Sequence, residues 1–133
     1  MNDWKKAEKD FRDHWKRYGK DAVVFRLPDT AAAKATGGKG AFLQDQPADF
    51  LVIWRGEMFF AEVKFSTIKD KFPLQNISRK QVAHARRVIK AGGSYYFFIK
   101  SYQYDQWFRV PAQYILTSNK AHLRWDELGE YQW

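Results

Sequence analysis

Three residues in this chain have the types and spacing to do chemistry together: Asp49, Glu62 and Lys64. They lie in the stretch 47–66, PADFLVIWRGEMFFAEVKFS. There, two apolar runs of strand composition, 49–54 and 58–66, flank Arg55-Gly56-Glu57. An antiparallel hairpin with Arg55-Gly56 as its two-residue loop sets Trp54 against Glu57. Counting outward from that pair sets Asp49 opposite Glu62. Cross-strand partners have Cβ atoms about 4.5–5.5 Å apart, so the two carboxylates would touch. Lys64, two residues beyond Glu62, points to the same face. A three-residue loop would break this register, and Arg-Gly is not the strongest short-turn signal. Facing carboxylates repel, and one is driven towards its protonated form unless a cation lies between them. A divalent metal beside an ammonium group resolves that conflict. The alternative is a surface hairpin whose charges face solvent.

The elements around the hairpin decide between these. Residues 3–18 are expected to form an amphipathic helix, with Trp4, Ala7, Phe11, Trp15 and Tyr18 as its apolar stripe. Asp3 suits the N-cap and Gly19 the stop. Glu8 borders the stripe, four residues after Trp4 and three before Phe11. Lys5, Lys6, Lys9, Arg12 and Lys16 cover the remaining surface. A strand is expected over 22–27, ended by Pro28. Residues 29–46, DTAAAKATGGKGAFLQDQ, read as a loop or protruding arm carrying Lys34 and Lys39.

After the hairpin, 68–77 reads as a second loop with Lys69 and Lys71. Ser78 then opens a helix with Val82, Ala85, Val88 and Ile89 inward. Arg79, Lys80, Arg86, Arg87 and Lys90 make its other face basic. Ser78 and Gln81 have capping-box spacing, which is a purely structural use for Gln81. Gly92-Gly93 ends the helix. The run 94–100, SYYFFIK, reads as a central strand, and 106–110 as another, stopped by Pro111, which opens a short helix through Leu116. A last turn or short helix is expected in 117–133. The order describes an α/β (α+β) domain, a mixed sheet flanked by helices.

Composition narrows the partners. The 133 residues carry 23 Lys and Arg against 15 Asp and Glu, a net charge of +8, which favours a polyanion such as nucleic acid. The length suits one domain over 1–133. Cysteine is absent, so disulfides and thiolate metal sites are excluded. No apolar run approaches the roughly 20 residues of a membrane span. The first ten residues, MNDWKKAEKD, are charged without an apolar core, so no signal peptide and a cytoplasmic location are expected. His14, His84 and His122 lack metal-ligand spacing and are read as surface or helix-face residues. Gly37-Gly38-Lys39-Gly40 lacks the spacing of a phosphate loop.

Pro47-Ala48-Asp49, twelve residues, then Glu62-Val63-Lys64, with a Gln-bearing helix after it, resembles the PD-(D/E)XK nuclease superfamily. The segment 72–100, FPLQNISRKQVAHARRVIKAGGSYYFFIK, is similar to the corresponding part of RecU-type Holliday junction resolvases, as is LRWDELGE (123–130). The first helix and the arm are shorter than that family's.

The resemblance implies a restriction-endonuclease-like fold and metal-dependent hydrolysis of phosphodiester bonds in branched, four-way-junction DNA by a homodimer. It implies Mg²⁺, with Mn²⁺ able to substitute, held by Asp49, Glu62 and the Val63 carbonyl. It implies Lys64 as the residue that positions the attacking water and stabilises developing charge. Glu8 matches a family Glu that would help hold a water or second ion, and Gln81 would orient Lys64 or a water. Lys5, Lys9, Arg12, Lys34, Lys39, Lys69, Lys71, Arg79, Lys80 and Arg86 would bind DNA phosphates. Two rivals remain: a nuclease of the same superfamily acting on flaps, ends or duplex, and a non-catalytic nucleic-acid-binding module.

Overall fold

The structure, a computed structural model, describes residues 3–28 and 45–133. Lys34, Lys39 and nearly all of the expected arm lie outside the described residues. Helix α1 (Asp3–Trp15) runs into a 3₁₀ segment, Lys16–Asp21, broken where Gly19 takes a positive φ of 56°. The chain continues through β1 (Ala22–Arg26), β2 (Phe50–Trp54), β3 (Glu57–Ser66) and β4 (Lys71–Pro73). Helix α2 (Arg79–Lys90), β5 (Tyr95–Ser101), β6 (Gln106–Pro111), α3 (Ala112–Leu116) and β7 (His122–Arg124) follow. A 3₁₀ turn, Trp125–Tyr131, ends the order. This is the mixed α+β architecture expected, with a five-stranded sheet in the order β1-β2-β3-β5-β6. Among the described strands of this sheet only the β3–β5 pair is parallel, and α2 makes the crossover between those strands.

The β2–β3 hairpin has the anticipated register. Trp54 pairs with Glu57 and Phe50 with Ala61 across a two-residue loop. Arg55 and Gly56 both have positive φ, 53° and 77°, the requirement of a type I′ turn whose twist matches its strands. Glycine meets it freely, and Arg55 meets it with its guanidinium over the Trp54 ring.

Strand alternation splits the core between two faces. On one face Phe50, Val52, Phe59, Ala61, Phe98 and Trp107 pack under Phe11 and Trp15 of α1. On the other, Tyr95, Phe97, Ile99, Phe108 and Val110 pack under Ala85 of α2 and Ala112 and Ile115 of α3. Glu62 and Lys64 alternate onto the α2 face. Helix α2 is fixed at both ends. Ser78 and Gln81 form the capping box, while Gly93 N–H to Val88 O and Gly92 N–H to Ile89 O close a Schellman turn.

Two expectations are corrected. Residues 68–77 are not all loop, because Lys71–Pro73 pairs with His122–Arg124 in a two-stranded sheet that buries Phe72 and Leu123. Trp4 does not belong to the buried stripe. It stands in the first turn of the helix and is 47% exposed. His14 lies on a face of α1, as read, half-buried with its ring 4.1 Å from that of Trp133.

Candidate active site

Asp49 is placed by its backbone as much as by its side chain. It sits just before β2, where its carbonyl accepts from Leu27 N–H at 2.8 Å and from the Arg26 guanidinium at 3.3 Å. Tyr95, buried in β5, donates its hydroxyl to the Pro47 carbonyl at 2.6 Å and so tethers the same turn. The Asp49 side chain then accepts from Val63 N–H at 2.9 Å. That bond uses Oδ2 and holds the carboxylate across β3, beside Glu62.

Glu62 is 5% exposed. Burial first, and then the adjacent Asp49, hold its carboxyl well above the usual carboxylate range, with Lys64 opposing. Gln81 donates from Nε2 to Glu62 Oε1 at 3.4 Å, while its Oε1 accepts from Ser78 N–H at 2.9 Å. One amide therefore caps α2 and reaches the acidic pair. Lys64 donates to the Asn76 carbonyl at 3.0 Å. Burial pulls its ammonium below the usual lysine range, against the pull of Glu62 and Asp49.

Glu8 arrives from α1, on the other side of the sheet. It is 8% exposed and forms an ion pair with Arg26 Nε at 2.7 Å. Burial and Asp49 raise its carboxyl, and Arg26 and Arg12 counter them. Asp49, Glu62, Gln81, Glu8 and Arg26 all line one cleft of about 330 Å³, which also takes in His84 from α2.

This donor set fits an oxygen-preferring divalent ion. Two carboxylates in mutual repulsion are what a cation would relieve, and Mg²⁺ typically needs only one or two, keeping several waters. Among the described residues no group of three or more His, Asp or Glu side chains is close enough to ligate one metal jointly. Glu8 nonetheless lines the same cleft, and its charge adds to the rise of the Glu62 carboxyl.

The basic residues divide. Lys5, Arg12, Lys69, Arg79 and Arg86 are exposed. Lys9 is exposed but ion-paired with Asp13 at 2.6 Å, and Lys80 with Asp45 at 2.5 Å. Lys71 is half-buried in β4. Sequence reasoning missed Arg26, Tyr95 and His84 as part of the site. Arg26 carried a signal, a charge ending the apolar run Ala-Val-Val-Phe two residues before Pro28. Tyr95 carried none, being one aromatic in an apolar strand.

A mixed sheet whose hairpin sets an acidic pair and a lysine against a Gln-bearing helix belongs to the PD-(D/E)XK class of folds. The chain matches the solved structure of Hjc from Archaeoglobus fulgidus, described as a Holliday junction resolvase from an archaeal hyperthermophile. The TM-score is 0.61 at 16% identity, over 95% of this chain and 92% of that one.

Within that class, the family described as RecU, Recombination protein U, matches residues 20–127, and the chain belongs to it. Relatives named Holliday junction resolvase RecU include one from Bacillus cereus (strain AH820), 29% identical over 94 residues, covering 71% of this chain and 47% of its own length. Another, from Bacillus cereus (strain B4264), is 27% identical over 115 residues, covering 81% of this chain and 58% of its own. The chain spans about half the length of the curated relatives it matches.

Proposed function

We propose that this chain is a metal-dependent endonuclease that hydrolyses phosphodiester bonds in branched DNA, acting as a Holliday junction resolvase. The observation that carries the reading is the convergence of Asp49, Glu62 and Gln81 on one cleft, with Lys64 on the same sheet face. Family membership supports it, as do the relatives named as resolvases.

Asp49, Glu62 and the Val63 carbonyl would hold Mg²⁺ or, in its place, Mn²⁺. The ion would acidify a water and offset charge on the scissile phosphate. Lys64 leaves the Asn76 carbonyl to present its ammonium to the phosphate, where it stabilises the charge that develops. Gln81 keeps Glu62 oriented. Glu8 contributes through Arg26, which it neutralises, and that guanidinium steadies the Asp49 backbone.

Exposed Lys5, Arg12, Lys69, Arg79 and Arg86 bind phosphates without reading sequence. Two symmetric cuts across a junction call for two copies of this site, hence a homodimer. A cytoplasmic location, where DNA is accessible, accords with this role.

The test is labelled four-way junction, flap and duplex DNA with Mg²⁺ or EDTA, beside Asp49→Asn. Junction cleavage that needs Mg²⁺ and Asp49 is the expected result. Normal binding without cleavage refutes the enzyme, and duplex cut as fast as junction refutes the resolvase.

A further inference from the structure

We infer that Trp4 is a stacking platform for an unpaired DNA base, set at the mouth of the cleft and selecting branched over continuous duplex. The inference rests on the branched-DNA reading and adds to it a residue that reads structure. Amphipathic spacing put Trp4 in the core, yet its indole is 47% exposed on the first turn of α1. The ring borders two hollows. One is the acidic cleft, and the other, of about 370 Å³, is lined by Trp4, Lys5, Glu8, Lys9, Arg12 and Arg26. Trp4, Glu8 and Arg26 line both, so they form the wall the two hollows share.

The chemistry of that hollow fits a nucleotide better than a peptide or a buried apolar group. Lys9 is engaged by Asp13 and Arg26 by Glu8. Lys5 and Arg12 make no ion pair among the described residues, which leaves two cations for phosphates. Lys5 Nζ lies 5.4 Å from the Trp4 ring centroid, so an aromatic face and a cation are offered together. Bases inside a continuous duplex already stack on both faces and show only their edges. A base at a branch point can leave its stack, and an indole face accepts it whatever its identity. Phosphate contacts at Lys5 and Arg12 fix position, while Trp4 discriminates between paired and unpaired DNA.

The test uses the full chain in EDTA, so that nothing is cut. A fluorescent 2-aminopurine is placed beside the crossover of a four-way junction, beside a single-base bulge, and within the same sequence as plain duplex. Wild type should quench the probe in junction and bulge but not in duplex. Trp4→Leu should lose the quench and about tenfold in junction affinity, with duplex affinity unchanged. Trp4→Phe should keep most of both, and Lys5→Ala should weaken all three DNAs together. Unchanged melting of both Trp4 variants excludes a folding effect.

Equal losses on junction and duplex, or a full quench in Trp4→Leu, overturn the inference. Quenching of the bulge without preference for the junction overturns the resolvase reading and leaves the Trp4 site standing. Absence of DNA binding overturns both.

Discussion

Replacing Glu62 by Gln should stabilise the metal-free protein while abolishing its response to Mg²⁺. Glu62 is buried against Asp49, and its carboxyl is held above the ordinary range by burial and by that neighbour. Two unit charges about 4 Å apart at an effective dielectric of about 20 repel by about 4 kcal/mol. Attraction to Lys64 and partial protonation reduce this, leaving about 2 kcal/mol for Gln to relieve. For a domain of this size that is a rise of roughly 6–10 °C in Tm.

The sign follows from linkage. An acid whose folded pKa is raised binds more protons folded than unfolded, so its contribution is intact below the unfolded value near 4.5 and is lost as pH rises towards the folded value. The gap between Glu62→Gln and wild type in EDTA should therefore be small at pH 4.5 and wide at pH 8. Saturating Mg²⁺ at pH 8 should raise the melting temperature of wild type by several degrees and leave Glu62→Gln unmoved. The assay is a set of circular-dichroism melts over pH and metal concentration. A Glu62→Gln protein that melts below wild type at pH 8 in EDTA would refute the reasoning, because the pair would then be a source of stability rather than of strain.

Other consequences can be measured alongside. Ser78→Ala and Gln81→Ala should each cost about 1 kcal/mol in urea unfolding through the lost cap, but only Gln81→Ala should also cut cleavage tenfold or more. Arg26→Met leaves Glu8 buried without its cation and should destabilise by about 2–3 kcal/mol. Adding Glu8→Gln should recover most of that in a double-mutant cycle. Burial pushes the His14 imidazole down to about 4, with Arg17 and Lys100 contributing. A base with a lowered folded pKa keeps its stability above the unfolded value of 6.5 and loses it as pH falls. Because the ring is only partly buried, the loss between pH 7 and 5 should be about 1 kcal/mol after screening. His14→Leu should remove that slope.

The hairpin was legible because side-chain alternation in strands is strict. Once Arg55-Gly56 is the loop, the position of every later side chain follows, and Asp49 falls beside Glu62 with no tertiary information. The capping box and the Gly92-Gly93 stop were legible for the same reason, being local chemistry of the backbone.

What stayed hidden depends on which elements meet. The Glu8–Arg26 pair joins α1 to β1, and nothing in either segment names the other. The β4–β7 sheet joins residues about fifty apart through three-residue strands too short to show a period. Trp4 followed helical spacing faithfully, but spacing cannot say which positions of a stripe another element covers.

The site and the fold are linked through the same atoms. The Asp49 carboxylate takes Val63 N–H, its carbonyl takes Leu27 N–H, and Tyr95 reaches from the core to hold the preceding turn. The Gln81 amide that reaches Glu62 through Nε2 is itself held at the helix cap through Oε1. The acidic pair is thus held by groups that are themselves structural, and its repulsion cannot relax by moving apart. Relief comes from a proton or a cation, which is why metal affinity, the pH dependence of melting and cleavage should change together across variants of Asp49 and Glu62. Variants of Ser78 should shift stability alone. If a substitution at Glu62 abolished cleavage yet left both the pH profile and the Mg²⁺ response of melting intact, the pair would not be under the strain its burial implies.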